Sequence, residues 1–371
     1  WVTVHTGLKS EDHGIFRLGD LRGQELDQFF EHFDKLGYEI CAISPMNAFN
    51  KISNEQIFIP DPWTETGSDR SFWSRQLIRV LRQTVNDNSS GKVSIRSSIT
   101  LILASVRFMK LSWYVHIVKL AMSMRQKKWN KALILDTLLY NIFINRRTKN
   151  LKGFNYLFLN SFAHIQHHYL LNSPYVDSAG RNPDWYVDKK SDPVFDAIKT
   201  FDKILYDFLS RCKSEHVIIA TGLTQVPYDK AQFYYRLSDH ESFLKDIGLA
   251  FKKVRRGMTR DFHIDFSSNY DRDIAFTELD KLTLKDKKLF GDFSKSEKSL
   301  FCSFTYPDEI GKNDILQMKK KNMALMDLVN FVAIKNGMHH DKGFVFVNSK
   351  NGFKKLNVPL YELNNYVKSL D

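Results

Sequence analysis

Residues Tyr156 to Tyr169, YLFLNSFAHIQHHY, join an apolar run to a polar stop at Asn160 and then to three histidines, His164, His167 and His168. A strand that halts at a small polar residue and passes into a His-rich turn is how an α/β protein presents ligands at the carboxyl edge of a parallel sheet. A second cluster, Gly337-Met338-His339-His340-Asp341-Lys342-Gly343, precedes another apolar strand, Phe344 to Val347. Imidazoles this closely spaced suit a divalent metal, and two such clusters far apart in the chain suggest one site assembled from distant segments. Taken singly, each also fits ordinary hydrogen-bonded histidines.

The region Ile99 to Phe143 decides whether the chain spans a bilayer. It is the most apolar stretch, yet Arg107, Lys110, His116, Lys119 and Arg125 interrupt it too often for the roughly 18 clean apolar residues a span needs. Two or three amphipathic helices are expected instead, packed as a lid or docked on a membrane surface, with the lid favoured because Asn130 to Asn145 leads back into the His-bearing strand. The 371 residues, 43% hydrophobic and 26% charged, suffice for one large folded body or one with an insertion. The net charge of +12 collects in Arg125-Gln126-Lys127-Lys128, Lys252-Lys253-Val254-Arg255-Arg256 and Lys319-Lys320-Lys321. Such runs favour anionic partners, although each also fits the solvated face of a helix. Cys41, Cys212 and Cys302 lack CxxC spacing, which argues against a disulfide framework and for a reducing, cytoplasmic setting. The first residue is Trp1 and no charged leader with an apolar core follows, so the natural start is expected to lie upstream, with a signal peptide left open.

Periodicity places a helix at Phe29 to Leu36, closed by Gly37 and followed by a strand at Tyr38 to Ile43. A short strand at Ile57 to Ile59 breaks at Pro60 and Pro62, and a helix follows over Ser71 to Val85. Further helices are expected at Asp196 to Cys212, Asp271 to Leu282 and Met318 to Asn336. His216 to Ala220 reads as a buried parallel strand, Phe262 to Phe266 as a strand, and Leu289 to Phe293 with Ser299 to Thr305 as a hairpin.

These segments resemble the alkaline phosphatase superfamily, specifically its type I phosphodiesterase and nucleotide pyrophosphatase branch. The opening Trp1-Val2-Thr3-Val4-His5-Thr6-Gly7-Leu8, followed by Glu11-Asp12-His13-Gly14-Ile15-Phe16, is similar to the segment just after that family's nucleophile. The resemblance implies a nucleophilic Thr or Ser and a first metal-binding Asp upstream of Trp1. It also implies that AHIQHHY stands where the family has an Asp followed four residues later by a His. Here either Asn160 and His164 take those places or His167 keeps its role without the carboxylate. His339, with His340 as the near alternative, matches the family's late metal-binding His. Ala220-Thr221-Gly222 stands where the family ends a strand with Asp-His-Gly, so the second metal has no recognisable ligand.

The resulting expectation is an α/β fold: an alkaline-phosphatase-like, mainly parallel sheet flanked by helices. The core's first part covers 1–98, a helical lid 99–150, the second core part with the His-rich segment 151–237, a small α+β insertion 238–307 and the last core part 308–371. The expected function is a divergent metal-dependent phosphoester hydrolase; the alternative is a noncatalytic binding or scaffold module on the same fold. At most one ion, zinc or manganese, is expected from His164, His167, His339 and Asn160 or Asp177. Arg260, Tyr235 and Asp61 are candidates for contacting a phosphorylated or anionic small molecule or glycan, since Arg suits bidentate oxyanion contacts. No nucleic-acid-binding motif is present, and nucleic acid is not an expected partner.

Overall fold

The computed structural model describes residues 1–16, 21, 24–86, 94–178, 180–213, 215–257, 260–317, 322–349, 352–353 and 357–370. Among the described residues the fold is mixed α/β, with 39% helix and 24% strand distributed over small sheets. The chain divides into two compact units: Trp1–Gln166, Asp192–Val226 and His339–Asp371 form the first, and His167–Ser191 and Pro227–Met338 the second.

The first unit is built around a three-stranded parallel sheet in which Glu39–Ile43 lies between Glu55–Ile59 and Gly153–Leu157. Ile40, Cys41, Ala42 and Ile43 have no exposed surface, because a central parallel strand is covered on both faces. The two-residue period of the strand sorts its side chains into two cores. Ile40, Ala42 and Phe58 pack with Phe29, Phe30 and Phe33 of the helix Phe29–Lys35. Cys41, Ile43, Ile57 and Ile59 pack with the helices Phe72–Asn86 and Asn130–Arg146 through Leu77, Leu139 and Phe143. Local signals fix the helix ends: a Gln28–Glu31 capping box starts Phe29–Lys35, and Gly37, at φ +77°, turns the chain out of it. Asp192 accepts from the Phe195 N–H ahead of Pro193–Arg211.

The apolar stretch after residue 94 forms three helices, Ile95–Phe108, Leu111–Met122 and Asn130–Arg146. Among the described residues no helix is long and apolar enough to cross a membrane. The segment after Asn160 is a helix, Ser161–Tyr169, rather than a turn. Val217–Ala220 was expected in a parallel arrangement, but it pairs antiparallel with Val345–Ser349 in a separate three-stranded sheet. Pairing direction depends on where the partner strand arrives, which an apolar run does not encode. Among the described residues a mainly parallel sheet is not seen; parallel pairing joins the three strands around Glu39–Ile43.

The second unit holds a four-stranded antiparallel sheet, ordered Phe290–Ser296, Ser299–Phe304, Asp261–Asp265 and Lys253–Arg256, with the helices Asn269–Lys281 and His240–Asp246. Phe243, Phe262, Phe290 and Phe304 fill its core. The basic run at Lys252 to Arg256 largely forms an edge strand, where Arg255 grips Asp265 with both guanidinium arms at 2.9 and 3.1 Å. The Lys319 to Lys321 run lies outside the described residues. The expected helix from Met318 to Asn336 is corrected: 318–321 are outside the described set, then come a short strand, Asn322–Ala324, one helical turn, Leu325–Leu328, and the long strand Val329–His340. Val329, Phe331, Val332 and Ile334 are β-branched or aromatic, and pairing with the strand Thr224–Leu237 wins over a helical spacing that the same residues also satisfy.

Candidate functional site

In the first unit four distant segments meet at the strand ends. The Trp1 ring stands edge-on to Phe158, at 5.1 Å between centroids, just past the end of Gly153–Leu157. The same indole lies over Gly222, where a methyl group would come within 3.1 Å of it. Gly222 sits at φ +71°, so it turns the chain sharply after Val217–Ala220. Thr221 N–H donates to the Phe344 carbonyl at 2.9 Å, while Phe344 N–H donates to the Thr221 hydroxyl at 2.8 Å. Thr224 donates to the Lys342 carbonyl from both its N–H, at 2.7 Å, and its hydroxyl, at 2.8 Å. The Gln225 amide donates to the Ala163 carbonyl at 3.0 Å, tying in the start of the His-rich helix.

That helix begins on a carboxylate the sequence reading did not single out. Asp136, from the middle of Asn130–Arg146, is 4% exposed and accepts the Ser161 N–H at 2.7 Å. Burial pushes its carboxyl up to about 6, against the hydrogen bonds from Ser161 and Asn160 that hold it down. A single acid on the buried face of an apolar helix was the available signal. His5 is a second buried titratable group: its Nε2 lies 3.0 Å from the Tyr156 hydroxyl, and burial drives it down to about 3, so the ring is neutral. His13 accepts the Ile15 N–H on Nδ1, leaving Nε2–H to bond Thr3.

Of the expected ligands, Asn160 and His164 lie in the first unit on the turn and first half of the Ser161–Tyr169 helix, and His339 is exposed near the end of Val329–His340. His340 Nδ1 takes the Lys342 N–H at 3.2 Å and so folds back on its own loop. In the second unit His167 and His168 place Nδ1 at 3.0 and 2.9 Å from the carbonyls of Gly337 and Ile334. A carbonyl only accepts, so Nδ1 carries the proton in both rings and, in the neutral form, Nε2 holds the lone pair. Metal-ligating histidines use this orientation, and so do purely structural ones. Among the described residues no group of three or more His, Cys, Asp or Glu side chains is arranged to hold a metal ion.

The candidate substrate contacts fall in separate places. Asp61 has no exposed surface; its carboxylate accepts from the N–H groups of Asn47, Trp63 and Thr64 and from the Thr64 hydroxyl at 2.6 to 3.0 Å, so it holds its own loop together. Asp177 is exposed and belongs to the second unit. Tyr235, also in that unit, is buried, and its hydroxyl accepts the Ile310 N–H at 3.0 Å. Arg260 lies over the Tyr234 ring, 3.9 Å from its centroid, and 3.7 Å from Asp292. Lys335 approaches the same ring at 6.0 Å, and burial together with Arg260 lowers its ammonium to about 8. Sequence reasoning singled out Arg260 but not Lys335, which was read as part of a helix.

No protein family, curated protein or solved structure matches this chain.

Proposed function

We propose that this chain forms the body of a divergent metal-dependent phosphoester hydrolase of the alkaline phosphatase type, acting on a phosphorylated or anionic small molecule or glycan. The supporting observation is the meeting of Trp1, Phe158 to Ala163, Thr221 to Gln225 and Lys342 to Phe344 at adjoining strand ends. These are the segments that the resemblance assigns to one site. Asn160, His164 and His339 are the ligands this reading gives to a single zinc or manganese ion, which would supply Lewis-acid stabilisation of a phosphoryl oxygen. The buried thiols of Cys41, Cys212 and Cys302, all unpaired, accord with a cytoplasmic setting.

Zinc titration tests the proposal. Uptake of about one equivalent, a raised melting temperature and loss of both in His339→Ala are expected, with affinity falling at acid pH as imidazoles protonate. No uptake and no thermal shift would sink the metal assignment. The second reading, a noncatalytic binding module, is favoured by one observation: the backbones of Gly222 and Gly343 close on each other where the resembled family carries metal ligands. Retention of inorganic phosphate with no turnover of a chromogenic phosphodiester, with or without zinc, would decide for it.

A further inference from the structure

The helices Ile95–Phe108 and Leu111–Met122 each carry two apolar faces. One is spent on the core, through Ala104 and Phe108 in the first helix and Trp113 in the second. The other faces solvent. On the first helix it runs through Ile95, Ile99, Ile102 and Val106, at intervals of four, three and four residues, all at least half exposed. On the second it runs through Leu111, Val115, Val118 and Met122 at the same spacing, reaching 84% exposure at Leu111 and 80% at Met122. Scattered exposed apolar residues are ordinary; two such stripes of identical spacing on consecutive helices are not.

Charge identifies the occupant. From Asn88 to Leu135 the sequence has no Asp or Glu, whereas Lys and Arg recur throughout. Arg96, Arg107, Lys119, Arg125 and Lys128 are exposed and form no ion pair among the described residues. A second copy docking on this face would bring these cations against their own kind, with no carboxylate from the segment to offset them. An anionic bilayer surface satisfies both features, since acyl chains take the apolar stripes and headgroups take the cations. Neither helix is long enough to span, so the contact is interfacial.

We propose that Ile95 to Met122 is a membrane-surface docking element that recognises anionic phospholipid. The purified chain should co-sediment with phosphatidylcholine vesicles in which about a third of the lipid is phosphatidylglycerol, and much less with phosphatidylcholine alone. Binding should weaken between about 0.05 and 0.5 M salt. The double variant Ile102→Asp, Val115→Asp should lose affinity about tenfold or more while keeping its melting temperature, because both side chains are exposed. The variant Arg125→Glu, Lys128→Glu should lose the preference for the anionic vesicles. Failure to bind either vesicle, or unchanged binding by the Ile102→Asp, Val115→Asp variant, overturns the proposal. A lipid-free dimer abolished by that variant would overturn it too and assign the face to a second copy.

Discussion

A β-carbon on Gly343 would overlap the carbonyl oxygen of Gly222, so the late segment reaches the strand end only with hydrogen at that position. The Thr221 and Thr224 bonds to Phe344 and Lys342 depend on this approach. Gly343→Ala should therefore destabilise the first unit by about 2 kcal/mol or more, as overpacking against rigid backbone does. Gly222→Ala, strained mainly by its left-handed φ, should cost about 1 kcal/mol. Urea unfolding measures both, and a Gly343→Ala protein as stable as the parent would refute the contact.

Asp136 ties stability to pH. Its folded carboxyl, at about 6, lies above the ordinary 3.8, so the folded state binds the proton more tightly than the unfolded chain does. The favourable contribution is fully present below pH 3.8 and is lost as pH rises through 6. Asp136→Asn keeps an acceptor for the Ser161 N–H without the charge. Relative to the parent, this variant should gain up to roughly 3 kcal/mol between pH 4 and pH 8. A stability difference that stays flat over that range would show that the buried carboxyl is not the titrating group.

Much of the local structure was legible because it obeys a single period. Phe29, Phe30 and Phe33 share a helical face, Gly37 ends that helix, and the alternation in Glu39–Ile43 serves two cores. The hairpin of Phe290–Ser296 and Ser299–Phe304 was likewise expected from its flanking apolar runs. Val329–His340 was not legible: its apolar residues fit helical spacing as well as extended pairing, and the chain makes one helical turn at Leu325–Leu328 before extending. The partner strand Thr224–Leu237 was hidden by Pro227 and by the polar pair Asp229 and Lys230 at its middle. Within the second unit the His167 ring reaches the Gly337 carbonyl, a backbone partner that histidine density does not encode. Asp136 was not readable in that role, because an acid within a helix does not announce which later N–H it will meet.

The strand that was misread also supports a buried amide network. Asn336, with no exposed surface, accepts from the Leu171 N–H at 3.1 Å and from the Asn182 amide at 2.6 Å, and it donates back to Asn182 at 2.8 Å. Asn336→Ala leaves these partners buried and unsatisfied, and should cost about 2 to 4 kcal/mol in denaturant unfolding. A loss below about 0.5 kcal/mol would mean that the network contributes little beyond packing.

Lys335 should titrate at about pH 8. It is half-buried beside Arg260 and Tyr234, forms no ion pair among the described residues, and has its ammonium lowered to about 8 from 10.5. The unfolded chain therefore binds more protons than the folded one between these values, so this residue's contribution to stability rises as pH climbs from 8 to 10.5. Lys335→Met, which removes the charge and keeps the length, should raise the melting temperature at pH 7 and lose that advantage toward pH 10.5. Sulfate should act in the same sense on the parent, stabilising it at pH 7 by offsetting the two cations, and should do so less in the Met variant. Reductive methylation followed by NMR of the labelled amine gives the pKa directly; a value near 10.5 would show that Lys335 is solvated and would remove the basis for both effects.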